Sequence, residues 1–258
     1  MQNKRKHSLD SSSIYNWRWS YFLDSTKHSF SRFKISNYPI DNDFLYKESS
    51  FGSSSNPKKV FLETWGLTTE KIRKARCVCL KAGENVSVMN LVISPSKMYD
   101  LPFFGADFVT LPNGHLIALD LQPALKDDLI HTQKVWDKLK PIHANWQSKL
   151  PSGGEIPSEA KQYFSPAFLW SKIPLGDEGD KLISQIIKPA FNQYLNLFLD
   201  LVINAKIISQ ERSFKILNGQ KKYMRYRAEK DPAKGMLRGF FGDIWTENYI
   251  NNILFDLQ

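Results

Sequence analysis

Residues 103–121 constrain the fold of this chain more than any other part of the sequence. They contain two short aromatic and aliphatic runs, 103–111 and 115–121, separated by Pro112-Asn113-Gly114, which is typical of a β-hairpin turn. Side chains alternate between the two faces of a strand, and here both faces are largely apolar. Such a strand is usually covered on both sides, so we expect helices on each face of the sheet.

Asp107 lies among these apolar residues, where an isolated ionised carboxylate is costly to bury. Two registers are open. A two-residue turn at Asn113-Gly114 places Asp107 opposite Asp120, whereas a three-residue turn at 112–114 places it opposite Leu119. A neighbouring acid in the first register, or apolar surroundings in the second, raises the carboxyl pKa and predicts a proton donor. The alternative is a structural carboxylate that is hydrogen-bonded to the backbone or to an arginine at the sheet rim.

The rest of the chain predicts the layers around this hairpin. Two strand-like runs, 75–82 and 86–93, precede it, which indicates an antiparallel sheet built from consecutive hairpins. Helical periodicity follows at 126–146, 182–208 and 244–257. We therefore predict an α/β fold, a three-layer α/β/α sandwich with a central antiparallel sheet flanked by helices.

Length and composition favour a single domain. The chain has 258 residues with 42% hydrophobic content, enough for one sizeable core. Residues 1–13 are basic and serine-containing without the apolar core of a secretory signal, and predict a short disordered arm before a domain at 14–258. No apolar run approaches the roughly 18 residues that span a bilayer. We expect a cytoplasmic protein that does not associate with membranes.

The net charge and the cysteine and histidine content limit the classes of partner and cofactor that this chain can bind. The net charge of +9 favours an acidic partner, but no nucleic-acid-binding motif is present, so we expect no nucleic acid. Cys77 and Cys79 are too few for a cysteine-ligated cluster and predict core residues, and the five histidines lack metal-ligand spacing. A glycine-rich phosphate loop is also missing. The sequence therefore predicts no bound metal or nucleotide cofactor.

Five motifs, in consistent order between Trp17 and the C-terminus, carry a resemblance to a known family. They are Asp100-Leu-Pro-Phe-Phe-Gly-Ala-Asp107, Asp120-Leu-Gln-Pro123, Phe164-Ser-Pro166, Glu229-Lys-Asp231-Pro232, and Phe241-Gly242 followed later by Phe255-Asp256. Together they resemble the ferredoxin-dependent bilin reductases, which reduce linear tetrapyrroles. The resemblance implies an antiparallel sheet flanked by helices, with the bilin held between the sheet and the C-terminal helices.

The resemblance also implies the chemistry. No redox cofactor is bound, and a reduced [2Fe-2S] ferredoxin delivers electrons singly into the bilin's own conjugated system. The branch that this chain most resembles converts 15,16-dihydrobiliverdin to phycoerythrobilin, a two-electron reduction of the A-ring diene system through bilin radicals. One alternative is a sibling that reduces biliverdin at the 15,16 bridge or performs both steps. Another is a bilin-binding chaperone or lyase without redox activity.

Further expectations concern partners and location. Ferredoxins are acidic, which matches the positive charge of this chain. The reductase of the preceding step is a second expected partner, for substrate transfer. We expect the cytoplasm of a cyanobacterium rather than a plastid, because the basic arm before Trp17 is short for a transit peptide.

Four site residues follow by position from the resemblance. Asp107 is expected to protonate the bilin, and Asp231 to donate the proton for A-ring reduction; the alternative for Asp231 is an N-cap before Pro232. Asn90 stands where the phycocyanobilin-forming branch has histidine, and can orient the bilin without relaying a proton. Lys172 is expected to bind a bilin propionate, the alternative being an ordinary surface lysine.

Overall fold

The computed structural model describes residues 17–256, and the predicted arm at 1–13 lies outside this range. Within it, the chain forms one antiparallel sheet of eight strands. They are β1 (Ser36–Asn37), β2 (Tyr46–Phe51), β3 (Lys58–Thr68), β4 (Ile72–Ala82), β5 (Val86–Pro95), β6 (Phe103–Leu111), β7 (Gly114–Gln122) and β8 (Leu169–Ile173). The order is β1-β3-β4-β5-β6-β7-β8, and β2 pairs with the first half of β3.

Helices cover both faces of this sheet. They are α1 (Ser20–Phe30), α2 (Asn42–Leu45), α3 (Leu129–Gln147), α4 (Ser158–Lys161), α5 (Asp177–Leu182), α6 (Lys188–Asn204), α7 (Gln210–Lys230), α8 (Lys234–Phe241) and α9 (Asp243–Tyr249). Helices α1, α3 and α6 pack on one face, and α2, α7, α8 and α9 on the other. The predicted three-layer α/β/α sandwich is confirmed. No helix among the described residues is both long and apolar enough to cross a membrane.

Strand alternation gives the sheet two distinct faces. The α6 face carries the larger core, including Cys77, Leu91, Ala106, Phe108 and Leu119. The α7 face carries their sequence neighbours, including Val78, Asn90, Asp107, Ala118 and Asp120. Cys77 and Cys79 are buried and not disulfide-bonded, which confirms their prediction as core residues.

Helix α6 forms the centre of the larger core. A π-helical turn, Ile183–Ile187, leads into it, and Pro189 lies in its first turn, where a missing backbone N–H is tolerated. Phe191 of α6 contacts Phe22, Phe104 and Phe108 with ring centroids 5.1, 5.7 and 6.0 Å apart. This aromatic cluster joins α1, the sheet and α6.

The β6–β7 hairpin has neither of the two registers expected from the sequence. Leu111 pairs with Gly114, so the turn is Pro112-Asn113, and Asp107 faces Ala118. Gly114 belongs to β7 because its backbone lies against β8: a Cβ there would be 2.8 Å from the carbonyl oxygen of Ile173. Its φ of +141° also favours glycine. Both predicted registers are wrong. The close approach of Gly114 to β8 brings together residues far apart in the sequence, so the residues of the turn alone do not indicate it.

The C-terminal segment is held to β4 by a cluster of charges. The Asp256 carboxylate accepts hydrogen bonds from both terminal nitrogens of Arg73, at 2.9 and 3.0 Å, and from Lys74 and the Tyr38 hydroxyl. Burial raises the pKa of Asp256, but the hydrogen bonds and charges of Arg73 and Lys74 outweigh it and hold that pKa well below its usual range.

A second ionic network fixes the start of α7. Arg212 in the first turn of α7 donates to Asp100, which precedes β6, and to Asp128, the N-cap of α3. His131 Nε2 accepts from the Ala124 N–H at 3.0 Å, so Nδ1 donates to Asp100. The network therefore joins α3, α7 and the β5–β6 connection.

Candidate active site

A cavity of about 630 Å³ lies between the α7 face of the sheet and the C-terminal helices. This volume is within the range of small-molecule sites. Strands β4–β7, residues 155–170 and the end of α7 surround it, and most of the wall is apolar or aromatic. Its polar groups include Asn90, Asp107, Arg227 and Asp231. Three of the four residues expected from the sequence thus meet in one cavity.

Asp107 lies at the middle of β6 and is half-buried. Asn90 of β5 is its direct cross-strand partner and hydrogen-bonds its carboxylate. Burial raises the pKa of Asp107 above its usual value, and the charge of Asp231 acts in the same direction. Arg227 and the Asn90 hydrogen bond oppose the increase without cancelling it. The carboxyl group therefore holds a proton at higher pH than an exposed aspartate.

Asp120 does not pair with Asp107, since its cross-strand partner is Gly105. Its carboxylate accepts hydrogen bonds from both the backbone N–H and the hydroxyl of Ser165. Burial raises the pKa of Asp120 to about 7, although the bonds from Ser165 oppose this. Asp120 therefore has the structural role considered above for Asp107: it binds a backbone group and fixes the 162–168 segment.

Asp231 directly follows α7 and lines the cavity. Its Oδ1 accepts a hydrogen bond from the Ala233 N–H at 2.8 Å, and α8 begins only at Lys234. Asp231 thus makes the contact expected of an N-cap, because its extended backbone precedes Pro232 and its side chain accepts from the N–H two residues on, although the regular part of α8 starts three residues later. The same carboxylate remains at the cavity wall, opposite the sheet.

Arg227 is a cavity residue that the sequence analysis missed. It precedes Asp231 by four residues, which on a helix places the two side chains on one face. Its guanidinium lies 5.6 Å from the Phe255 ring centroid. Burial lowers the pKa of Arg227, but Tyr223, Asp231 and Asp107 raise it by more, so the group stays charged. The spacing of four residues between Arg227 and Asp231 is the sequence signal that could have identified Arg227 as a cavity residue.

Lys172 is exposed on the edge strand β8 and is not among the residues that line the cavity. It pairs with Leu116, a cavity residue, so it lies on the α7 face at the rim. A Cβ built on Gly154 would be 3.8 Å from its ammonium nitrogen, which places Lys172 beside the segment that enters the cavity wall at Glu155. Its propionate-binding role stays a prediction.

Aromatic rings form one wall of the cavity. Phe164 and Phe168 stack nearly parallel, with centroids 4.1 Å apart and planes inclined by 10°, and Trp170 continues the series 6.0 Å from Phe168. Tyr163 stacks on Tyr226 at 4.3 Å. Flat apolar surfaces of this kind suit a planar conjugated ligand. Residues 17–256 contain no cluster of three or more His, Cys, Asp or Glu side chains arranged to hold a metal ion.

Comparison with known proteins identifies the family. The model of the family described as ferredoxin-dependent bilin reductase matches residues 23–256. The chain belongs to this family. It is therefore an oxidoreductase, and the family description names ferredoxin as the electron donor and a bilin as the substrate class.

The reductase is similar along its whole length to curated cyanobacterial proteins. It is 75% identical over 258 residues to the phycoerythrobilin:ferredoxin oxidoreductase of Prochlorococcus marinus strain NATL2A, with all of both chains covered. It is 57% identical over 257 residues to the protein of the same name from strain MIT 9211, again with 100% of each chain covered.

Among solved structures, the reductase resembles tomato phytochromobilin synthase, crystallised in complex with biliverdin. The TM-score is 0.81 at 23% sequence identity, over 93% of this chain and 83% of the tomato chain. At this identity the comparison concerns the fold, which agrees with the sheet and helix layers described above.

Proposed function

We propose that this reductase binds 15,16-dihydrobiliverdin in the cavity and reduces its A-ring diene system to phycoerythrobilin. The reaction consumes two electrons and two protons. The observation that carries the proposal is the placement of two carboxyl groups, Asp107 on the sheet and Asp231 on the helical side, in the wall of one cavity. The full-length similarity to proteins named phycoerythrobilin:ferredoxin oxidoreductase supports the choice of substrate.

Asp107 supplies the first proton. Burial raises the pKa of Asp107, which favours the protonated carboxyl group more than in an exposed aspartate, and proton transfer to the bilin makes the conjugated system easier to reduce. One electron from ferredoxin then gives a bilin radical. A second proton, from Asp231, and a second electron complete the reduction. The cavity holds the bilin in the geometry that these transfers need.

The remaining groups bind and orient the substrate. Asn90 holds Asp107 and offers an amide beside it, and Lys172 at the rim pairs with a bilin propionate. Arg227 adds a positive charge inside the cavity, where the carboxyl groups and a reduced bilin carry negative charge. The reductase of the preceding step delivers dihydrobiliverdin, which is already reduced at the 15,16 bridge.

The experiment that tests this function offers biliverdin and 15,16-dihydrobiliverdin separately, under anaerobic conditions with reduced ferredoxin. We expect only dihydrobiliverdin to be consumed, with phycoerythrobilin identified by chromatography and absorbance. Consumption of biliverdin would instead identify a sibling reductase that acts at the 15,16 bridge. Tight binding of either bilin without a spectral change on adding reduced ferredoxin would identify a chaperone or lyase.

Asp231→Asn tests the second proton donor. We expect it to bind dihydrobiliverdin normally, to accumulate the one-electron-reduced bilin, and to form product about 10²–10⁴-fold more slowly, because the amide cannot donate the second proton. Electron paramagnetic resonance and absorbance after mixing with reduced ferredoxin measure the radical and its decay. Asp137→Asn, on the exposed side of α3, is the matched control. Normal turnover by Asp231→Asn would exclude this residue as the donor.

A further inference from the structure

Arg76 is a buried charge beside the cavity that the proposed mechanism does not use. It lies on the α7 face of β4, two residues before the cavity residue Val78, and only 1% of it is exposed. A charge buried so completely is costly unless it is compensated. Its pKa is lowered by burial, while the charge of Asp231 acts in the opposite direction. No ion pair with a carboxylate is formed at Arg76 among the described residues, so other contacts define its role.

These contacts converge on Asn90. Arg76 Nη1 donates to the Asn90 carbonyl oxygen at 3.0 Å and to the side-chain oxygen Oδ1. Its Nε donates to the Leu254 carbonyl oxygen at 3.4 Å, and its guanidinium carbon lies 5.8 Å from the centroid of the Phe255 ring. Within residues 17–256, the buried Nη2 has no hydrogen-bond partner. Nη1 of Arg76 thus donates to two oxygens of Asn90, the cross-strand partner of Asp107.

This arrangement fixes the orientation of the Asn90 amide. A guanidinium only donates hydrogen bonds, so the amide group that faces Arg76 has to be the oxygen. The amide NH₂ is then the group that hydrogen-bonds Asp107. If the amide turned over, its NH₂ would face the Arg76 donor and the hydrogen bond from Nη1 to Oδ1 would be lost.

The orientation has a consequence for the proton of Asp107. An N–H donated by Asn90 binds best to the unprotonated oxygen of the Asp107 carboxyl group, so this contact favours the acid proton on the other oxygen. We propose that Arg76 is a positioning residue for Asp107, which acts through Asn90 and directs the acid proton away from β5 and toward the bound bilin. This inference rests on the proposed function and adds to it the group that orients the proton donor.

Arg76 also affects the charge balance around Asp107. The other groups that face this carboxyl are Arg227 and Tyr223 of α7, Asp231 after α7, and, diagonally on the same sheet face, Asp120 of β7. Loss of Arg76 removes a positive charge and frees the Asn90 amide. Both changes destabilise the carboxylate form of Asp107, so its pKa rises further.

The test compares pH profiles of single-turnover dihydrobiliverdin reduction by the full-length protein with reduced ferredoxin. The rate falls as the pH rises through the pKa of Asp107, because the protonated form donates. In Arg76→Met we expect the midpoint of this fall to move up by about 1 pH unit and the maximal rate to decrease. Arg76→Lys keeps a charged donor and is expected to restore the wild-type midpoint.

Arg73→Met is the matched control, since Arg73 lies on the same strand and contacts the C-terminal Asp256 but not Asn90. It is expected to leave the midpoint unchanged. If Arg76→Met does not fold, Arg76→Gln, which keeps a polar side chain in the buried site, carries the same expectation. Coincident midpoints for the wild type and the neutral variant, or no restoration by lysine, would overturn the role of Arg76. Absence of reduction by the wild type would instead remove the proposed function.

Discussion

Asp107→Asn is expected to bind dihydrobiliverdin with near wild-type affinity and to reduce it about 10²–10⁴-fold more slowly. Asparagine has almost the same shape as aspartate and keeps an oxygen that can accept the Asn90 N–H. It has no acidic proton, so the bilin is neither protonated nor made easier to reduce. Anaerobic stopped-flow absorbance with reduced ferredoxin measures the rate, and titration of the bound-bilin spectrum measures the affinity.

Two further variants make this result specific. Asp137→Asn, which changes an exposed carboxylate on α3, is expected to behave as the wild type. Asp120→Asn changes the other buried carboxyl group of the α7 face, whose bonds to Ser165 fix the 162–168 segment. We expect it to weaken substrate binding more than it slows proton transfer. If Asp107→Asn turned over normally and Asp120→Asn did not, the donor would be Asp120, whose pKa of about 7 also suits an acid.

The second large effect concerns stability. Asp256→Ala is expected to lower the free energy of unfolding by about 3–5 kcal/mol, because it leaves the buried Lys74 ammonium and the Arg73 guanidinium without their shared carboxylate. Urea unfolding followed by tryptophan fluorescence measures the change. Asp243→Ala is the control: its ion pair with Arg238 is exposed, so we expect a loss of at most about 1 kcal/mol.

The stability difference at Asp256 also has a pH dependence of known sign. The folded-state pKa of Asp256 is lowered by Arg73 and Lys74, so the stabilisation is complete above the unfolded-state value of about 3.9. The upper limit of this range is the pH at which Lys74 loses its proton, because burial lowers the pKa of Lys74 to about 7. The stabilisation decreases as the pH falls below the unfolded-state value of Asp256 toward its folded-state pKa. Wild type and Asp256→Ala should therefore converge in stability under strongly acidic conditions. A difference that stayed constant down to low pH would contradict the ionic origin of the effect.

Periodic patterns in the sequence were sufficient to predict the helix and sheet layers of the fold and the sheet side of the cavity. The apolar stripe at 182–208 predicted α6, and the buried residues Phe191 and Phe198 follow it. Alternation in 103–111 was enough to place Asp107 on a covered sheet face. These features depend on neighbours in sequence, so periodicity reports them directly.

The sequence did not lead us to predict strands β2 and β3 or the register of the β6–β7 hairpin. The serine and glycine content of residues 49–59 predicts a flexible loop, but in the structure Ser49–Phe51 belong to β2, which pairs with β3. Strand β3 itself was missed, although Val60 and Leu62 alternate with more exposed residues. The hairpin register depended on Gly114 approaching β8, which no local signal contains.

Helix α7 was the most consequential omission for the site. Its buried side includes Ser213, Gln220 and Tyr223 as well as Ile216, so its hydrophobic period is weak. Buried polar groups on α7 are stabilised by specific partners, as when the Tyr223 hydroxyl donates to Gln122 at 2.6 Å. Because α7 is not predicted from the sequence, Arg227 on this helix could not be assigned to the cavity. Partner-dependent burial of this kind is invisible in a single sequence.

The two faces of the sheet separate stability from chemistry along the same strands. Asn90 and Asp107 face the cavity, while their immediate neighbours Leu91, Ala106 and Phe108 are buried against α1 and α6. Under the proposed function, substitutions at every second position of β5 and β6 would change the groups that face the bilin, while the residues between them keep the packing on the α6 face. A scaffold arranged in this way can diversify in the groups that line its cavity, one position at a time.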